Sequence, residues 1–148
     1  MRPASIIAVC LTLTGSALVL QSCCKSLCID DNIFAVDFQG FTAMEMEKIK
    51  VLRYNQSSFA KAIDSYYVST NIILTNNPTR VYLDNPIVSD FDFRIVVENA
   101  GLSYNISDFL IEKGDCACSQ GTYKRIAGYN LNGVQFTTAR QYAIEIKK

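Results

Sequence analysis

The sequence predicts an all-β fold: an antiparallel β-sandwich of about seven to nine short strands, with at most one or two short helical turns. Three observations carry this. Apolar residues recur at every second position over short runs, most clearly Phe91, Phe93, Ile95 and Val97 with Asp92, Arg94 and Val96 between them. Clusters of Asn, Pro and Gly punctuate the runs. No segment keeps a helical period over the length that a parallel crossover needs.

The elements follow in order. Ile33 to Phe38 reads as the first strand, ended by Gly40. Thr42-Ala-Met-Glu45 has the spacing of a capping box, which predicts a helical turn over 42–47. Lys48 to Tyr54 alternates Ile49 and Val51 with Lys48 and Lys50, a strand with one wet face. Asn55 to Ser58 is a turn, and Phe59 to Tyr66 an irregular connection or a short helix. Tyr67 to Leu74 is rich in β-branched and aromatic residues and reads as a strand. Thr75 to Thr79 breaks it, Arg80 to Leu83 is a short strand, and Asp84-Asn-Pro86 a turn. Phe91 to Val97 and Leu102 to Ile111 form a hairpin across Asn99-Ala-Gly101. After a loop from Gly114 to Gly121, Thr122 to Leu131 pairs with Val134 to Thr137. The Asn132-Gly133 between them suits a type I′ turn, because both residues tolerate positive φ. Tyr142 to Ile146 is the last strand.

The chain has 148 residues and opens with a leader. Met1-Arg-Pro3 supplies one positive charge, Ile6 to Leu20 is a short apolar stretch broken by hydroxyl residues, and Leu20-Gln-Ser-Cys23 has the form of a bacterial lipobox. Residues 1–22 are expected to be a lipoprotein signal peptide that is cleaved, with Cys23 acylated. Residues 23–32 would be a lipidated tether, and 33–148 one β-sandwich domain. Cys24 stands where inner-membrane retention takes an aspartate, so the outer membrane is the expected address. An ordinary secretory signal and a retained signal anchor are the competing readings.

Composition excludes several functions. With 49% apolar and 19% charged residues the chain is globular, not disordered. It holds 14 basic and 14 acidic residues, and Arg2 leaves with the leader, so no basic excess remains to neutralise phosphates. Nucleic acid is not an expected partner. The chain has no histidine, which removes Ser-His-Asp and Cys-His catalysis outright.

Phe38-Gln-Gly-Phe-Thr42, Tyr104-Asn-Ile-Ser-Asp-Phe109, Cys116-Ala-Cys118 and Gly128-Tyr-Asn-Leu-Asn-Gly133, behind a lipobox leader, resemble small envelope lipoproteins of the Bacteroidetes. The likeness is one of layout and scattered short words over most of the mature chain. It implies an envelope location and a compact β domain, and brings no assigned activity with it.

Six cysteines divide by fate. Cys10 leaves with the leader and Cys23 is the lipidation site. Cys24, Cys28, Cys116 and Cys118 remain as disulfide candidates, in an oxidising compartment. A Cys116–Cys118 bridge would close a very small, strained ring. The preferred pairing therefore joins Cys24 and Cys28 to Cys116 and Cys118 in either order, stapling tether to loop. A four-thiolate zinc site and a redox pair are the sharper readings, but C-x3-C and C-x-C fit the usual spacings of neither.

Asp90, Asp92, Asp108, Glu112 and Asp115 are the carboxylates that a glycosidase-like enzyme would draw on. Asp30-Asp-Asn32 and Asp84-Asn85 lack the ligand spacing of a calcium loop and read as turns. Phe91, Phe93, Phe109, Tyr104 and Tyr129 are assigned to the core, while Tyr54, Tyr66 and Tyr67 are candidates for stacking on sugar rings. The expectation is a non-enzymatic binding or assembly module without metal or cofactor. Its partners would be the membrane, through the lipid, and another envelope protein or a glycan. The alternatives are a small Asp/Glu enzyme and a thiol or metal protein built on Cys116 and Cys118.

Overall fold

A computed structural model describes residues 32–69, 79–116, 121–137 and 143–148. The chain divides into two compact units, Met1–Ile29 with Gly114–Tyr123, and Asp30–Lys113 with Lys124–Lys148. The second unit is a β-sandwich. The strands are β1 (Ile33–Gln39), β2 (Ile49–Tyr54), β3 (Asp64–Tyr67), β4 (Thr79–Ile87) and β5 (Asp92–Val97), then β6 (Leu102–Asp115), β7 (Thr122–Leu131), β8 (Val134–Thr137) and β9 (Ala143–Lys147), the last two residues of β6 and the first two of β7 being counted with the first unit. One sheet has the order β4-β1-β9 and the other β3-β2-β5-β6-β7-β8.

Alternation puts one side chain in two into the space between the sheets. Ile49 and Val51 of β2, Phe93, Ile95 and Val97 of β5, and Tyr104 and Ile106 of β6 supply the larger sheet's share. Val36 and Phe38 of β1, Val81 of β4, and Ile144 and Ile146 of β9 supply the other. Burial of such side chains is worth roughly 1.5–3 kcal/mol each, and it fixes register, because a one-residue slip would turn every one of them outward.

The capping box forms as read. Thr42 N–H donates to Glu45 Oε2 (2.9 Å) and Glu45 N–H to Thr42 Oγ1 (3.3 Å), opening a 3₁₀ turn over Glu45–Glu47. A second 3₁₀ turn, Glu98–Ala100, carries the β5–β6 connection and ends on Gly101 at φ 65°. Asn132 and Gly133 have φ of 51° and 87°, as the expected turn requires.

Two readings are corrected, and two features of the pairing are added. The strand placed at Tyr67 to Leu74 begins earlier and ends at Tyr67, since Asp64 to Tyr67 pair with Arg53 to Lys50; residues 70–78 lie outside the described set. Asp84-Asn-Pro86 is no turn between elements but part of nine-residue β4. The register steps there from Ile33↔Ile87 to Ala35↔Tyr82, so edge strand β4 absorbs the extra residues as a bulge. Pairing is antiparallel except between β1 and β9, which run parallel. Among the described residues no crossover helix joins that pair: the chain passes through the other sheet between its first and last strands. Finally, β6 changes phase: Tyr104 and Ile106 face inward, then Phe109 and Ile111, and Asp108 at φ 49° occupies the extra position.

Candidate functional site

Two buried carboxylates behave differently. Asp37 of β1 is held by Arg80 of β4 in a two-pronged pair, both contacts 2.7 Å. Asp92 of β5 is only 3% exposed and accepts the N–H of Ser57 at 2.7 Å. Burial pushes its carboxyl above the ordinary range; the Ser57 N–H opposes this and the charge of Asp108 adds to it. The turn after β2 covers this end of the sheet's outer face. Phe59 packs on Tyr54 at 5.1 Å, and the Arg94 guanidinium lies 5.2 Å from the centre of each ring.

The remaining carboxylates scatter. Asp90 is an exposed turn residue beside a cavity of about 240 Å³, and Glu112 forms an ion pair with Arg125. Asp115 is an exposed residue of the unit that holds the Gly114 loop. Asp108 stands at the β6 phase change and its charge acts on Asp92, which lies beneath the covering turn; neither lines the described cavities. Asp84 accepts the N–H of Ser69, and Asn85 the hydroxyl proton of Tyr66. Among the described residues, no group of three or more Cys, Asp or Glu side chains converges as metal ligands would.

Of the three tyrosines offered for sugar stacking, Tyr54 is corrected to a buried position, 3% exposed under Phe59 and Arg94. Tyr66 is half-buried, and desolvation pushes its hydroxyl up to about 12. Tyr67 is exposed, with its ring near Lys50 and its hydroxyl donating to Glu98. The core assignments of Phe93, Tyr104 and Tyr129 hold, with Phe91 and Phe109 partly buried against them. Cys116 is disulfide-bonded. Cys23, Cys24, Cys28 and Cys118 lie outside the described residues, as do Asp30 and Asp31.

Exposed apolar side chains occur inside the sheets, at Phe34 of β1 and Leu110 of β6, and on the terminal strand β8. All four residues of β8, Val-Gln-Phe-Thr, are exposed, and β8 is the terminal strand of its sheet. Val134 is 58% and Phe136 39% exposed, on the same face as their partners Leu131 and Tyr129. Phe136 stacks on Tyr129 at 5.8 Å with the rings 15° apart. Below them a groove of about 250 Å³ is lined by Tyr104, Leu131, Asn132, Val134, Phe136, Glu145 and Lys147.

Three local features hold β8 in place. Gly133 N–H donates to Asn130 Oδ1 (2.6 Å). Asn132 and Asn105 exchange bonds, N–H to carbonyl at 2.9 Å and N–H to side-chain oxygen at 2.8 Å, tying the hairpin tip to β6. Gly128 lets β8 approach: a Cβ there would stand 2.6 Å from the Phe136 carbonyl oxygen.

The other three edges are blunted. β9 offers Glu145 N–H to the Tyr129 hydroxyl and Lys147 C=O to the Tyr104 hydroxyl, each at 3.2 Å. β4 carries its bulge and Pro86. β3, four residues long like β8, carries Asp64, which is held by Arg53. Bulges, prolines and charged side chains are the usual means of stopping strand addition, and β8 has none of them. A strand of uncharged, half-apolar residues directly after an Asn-Gly turn was the sequence signal for this edge.

Compared with family models, with curated proteins and with solved structures, the chain matches none. The all-β sandwich therefore rests on the strands themselves, and the function on the chemistry of the surface.

Proposed function

We propose that this is a lipid-anchored cell-envelope protein whose sandwich serves as a non-enzymatic binding or assembly module. The observation that supports the module is β8, a fully exposed, uncharged terminal strand with apolar side chains over a groove. Edge strands of this kind take up extended segments: main-chain bonds give affinity, and alternate side chains give selectivity. The lipobox ending at Cys23 supports the anchor and the envelope address, with the outer membrane preferred because Cys24 follows it. The stapling of tether to loop, joining Cys24 and Cys28 to Cys116 and Cys118, is part of the same proposal. Photo-crosslinking in intact cells, from probes at Gln135 and, for comparison, Ser65 of β3, tests the module. Protein adducts confined to the β8 probe are expected; adducts from neither edge would defeat the reading.

A further inference from the structure

We propose that the occupant of the β8 edge is β8 of a second copy of this chain, the two strands pairing antiparallel about a two-fold axis at Phe136. This rests on the binding-module reading and names its partner.

The hairpin geometry fixes which backbone groups are on offer. In a two-residue type I′ hairpin the closing pair, here Leu131 and Val134, exchanges both N–H···O bonds. The pattern then alternates, so Phe136 also bonds to β7, while the N–H and C=O of Gln135 and Thr137 point away from it. A second β8 offers the same two residues. With Phe136 opposite Phe136 of the copy, each Gln135 lies opposite a Thr137, and all four residues exchange both of their outward bonds. In this register the inner faces of both sheets lie on one side, as an isologous contact requires. The exposed Phe136 rings then cover each other.

Charge permits this at β8: Val134 to Thr137 carry none, so two copies meet without like-charge repulsion. A copy of β3 would bring a second Asp64, and β9 has its Glu145 N–H and Lys147 C=O already bonded to the Tyr129 and Tyr104 hydroxyls. Area sets the strength. A four-residue edge buries far less than the roughly 1,200 Å² of a stable specific interface. The pairing is therefore weak between freely diffusing copies and is strengthened by tethering on one membrane, which raises the effective concentration.

The test uses full-length, membrane-bound protein in two differently tagged forms, one Gln135→Cys and one Thr137→Cys, oxidised briefly. Residues opposite in such a pair have Cα atoms about 5.5 Å apart, within disulfide reach, whereas Gln135 and its own copy are offset diagonally and beyond it. A reducible two-tag product is expected from the mixture and not from either variant alone. Gln135→Pro added to the Thr137→Cys form, which removes an outward N–H and leaves the β7 bonds alone, is expected to lower the two-tag product on membranes at least about tenfold. Equal crosslinking of Gln135→Cys with itself, or a two-tag product undiminished by Gln135→Pro, overturns the pairing. A β8 photo-adduct to another protein without the two-tag product also overturns it while the module reading stands; loss of both adduct and product overturns both.

Discussion

At Asp92 burial and charge conflict, and the conflict sets a pH dependence. Asp37 is equally enclosed but has Arg80 beside it, whereas Asp92 accepts from an uncharged N–H and faces Asp108. Its carboxyl therefore titrates above the ordinary 3.8, with desolvation as the main cause. A folded state that holds a proton more tightly than the unfolded chain loses stability as pH rises from 3.8 through the raised value, and the loss is complete above it. Asp92→Asn keeps an acceptor for Ser57 and has no charge to bury. It is expected to gain stability over the parent chain at pH 7 and to match it near pH 3, read as urea midpoints. A gain of the same size at both values would mean that the carboxylate is not the source. Glu45 shows the opposite sign: the Lys148 ammonium, then the Thr42 N–H, lower it to about 2. The stability it contributes is present above 4.5 and drains away as pH falls toward that lowered value. In Lys148→Met the Glu45 carboxyl is expected to titrate nearer its usual range, observable by carbon-13 NMR.

Among elements, β8 and β9 show how the edges are managed, and each makes a prediction. Gly128→Ala drives a methyl group into the Phe136 carbonyl, so β8 must shift on β7. Overpacking of this kind costs about 1–3 kcal/mol, and hydrogen exchange should show protection lost first in Val134 to Thr137. Tyr129→Phe leaves the Glu145 N–H without its acceptor, a loss of about 1–3 kcal/mol. It should also expose the β9 edge, so increased aggregation is expected alongside the lowered midpoint, whereas Gly128→Ala should leave β9 protected. Much of this layer was legible in the sequence, because alternation and Asn-Gly are local signals. The runs at Ile33, Lys48, Phe91, Thr122 and Val134 all became strands. The failures share a cause, which is pairing at a distance. Asp84-Asn-Pro86 has turn chemistry, but β1 holds it in register as an edge bulge. Tyr67 to Leu74 has β-branched composition, yet β2 selects Asp64 to Tyr67 as its partner. The β1–β9 parallel pair joins residues near opposite ends of the chain and leaves no local trace. The candidate site was half legible: an open edge was foreseen, but which strand stays open depends on the hydroxyls, bulge and ion pair that blunt the rest.

At the scale of the whole molecule, sandwich and leader make different demands on location, and the last prediction concerns both. The sandwich has a core of large aliphatic residues filled from both sheets. On the proposed reading, attachment comes from the chain before β1, where Cys23 closes the lipobox. A single acyl chain gives only marginal, reversible binding, at about 0.8 kcal/mol per buried CH₂, whereas two or more chains hold a protein permanently. If Cys23 carries the diacylglycerol of a lipoprotein, protein from the native host should enter the detergent phase on Triton X-114 partition. Its intact mass should begin at residue 23 and carry the acyl groups. Cys23→Ser should retain the leader and lack the lipid, while an ordinary secretory signal would give a soluble product in both cases. Because the four-residue β8 contact is too small to hold free copies together, the same comparison bears on assembly. The two-tag disulfide should form on membranes and fall sharply in a version secreted without lipid. A product equally abundant in both would mean that β8 pairs through more surface than these four residues supply.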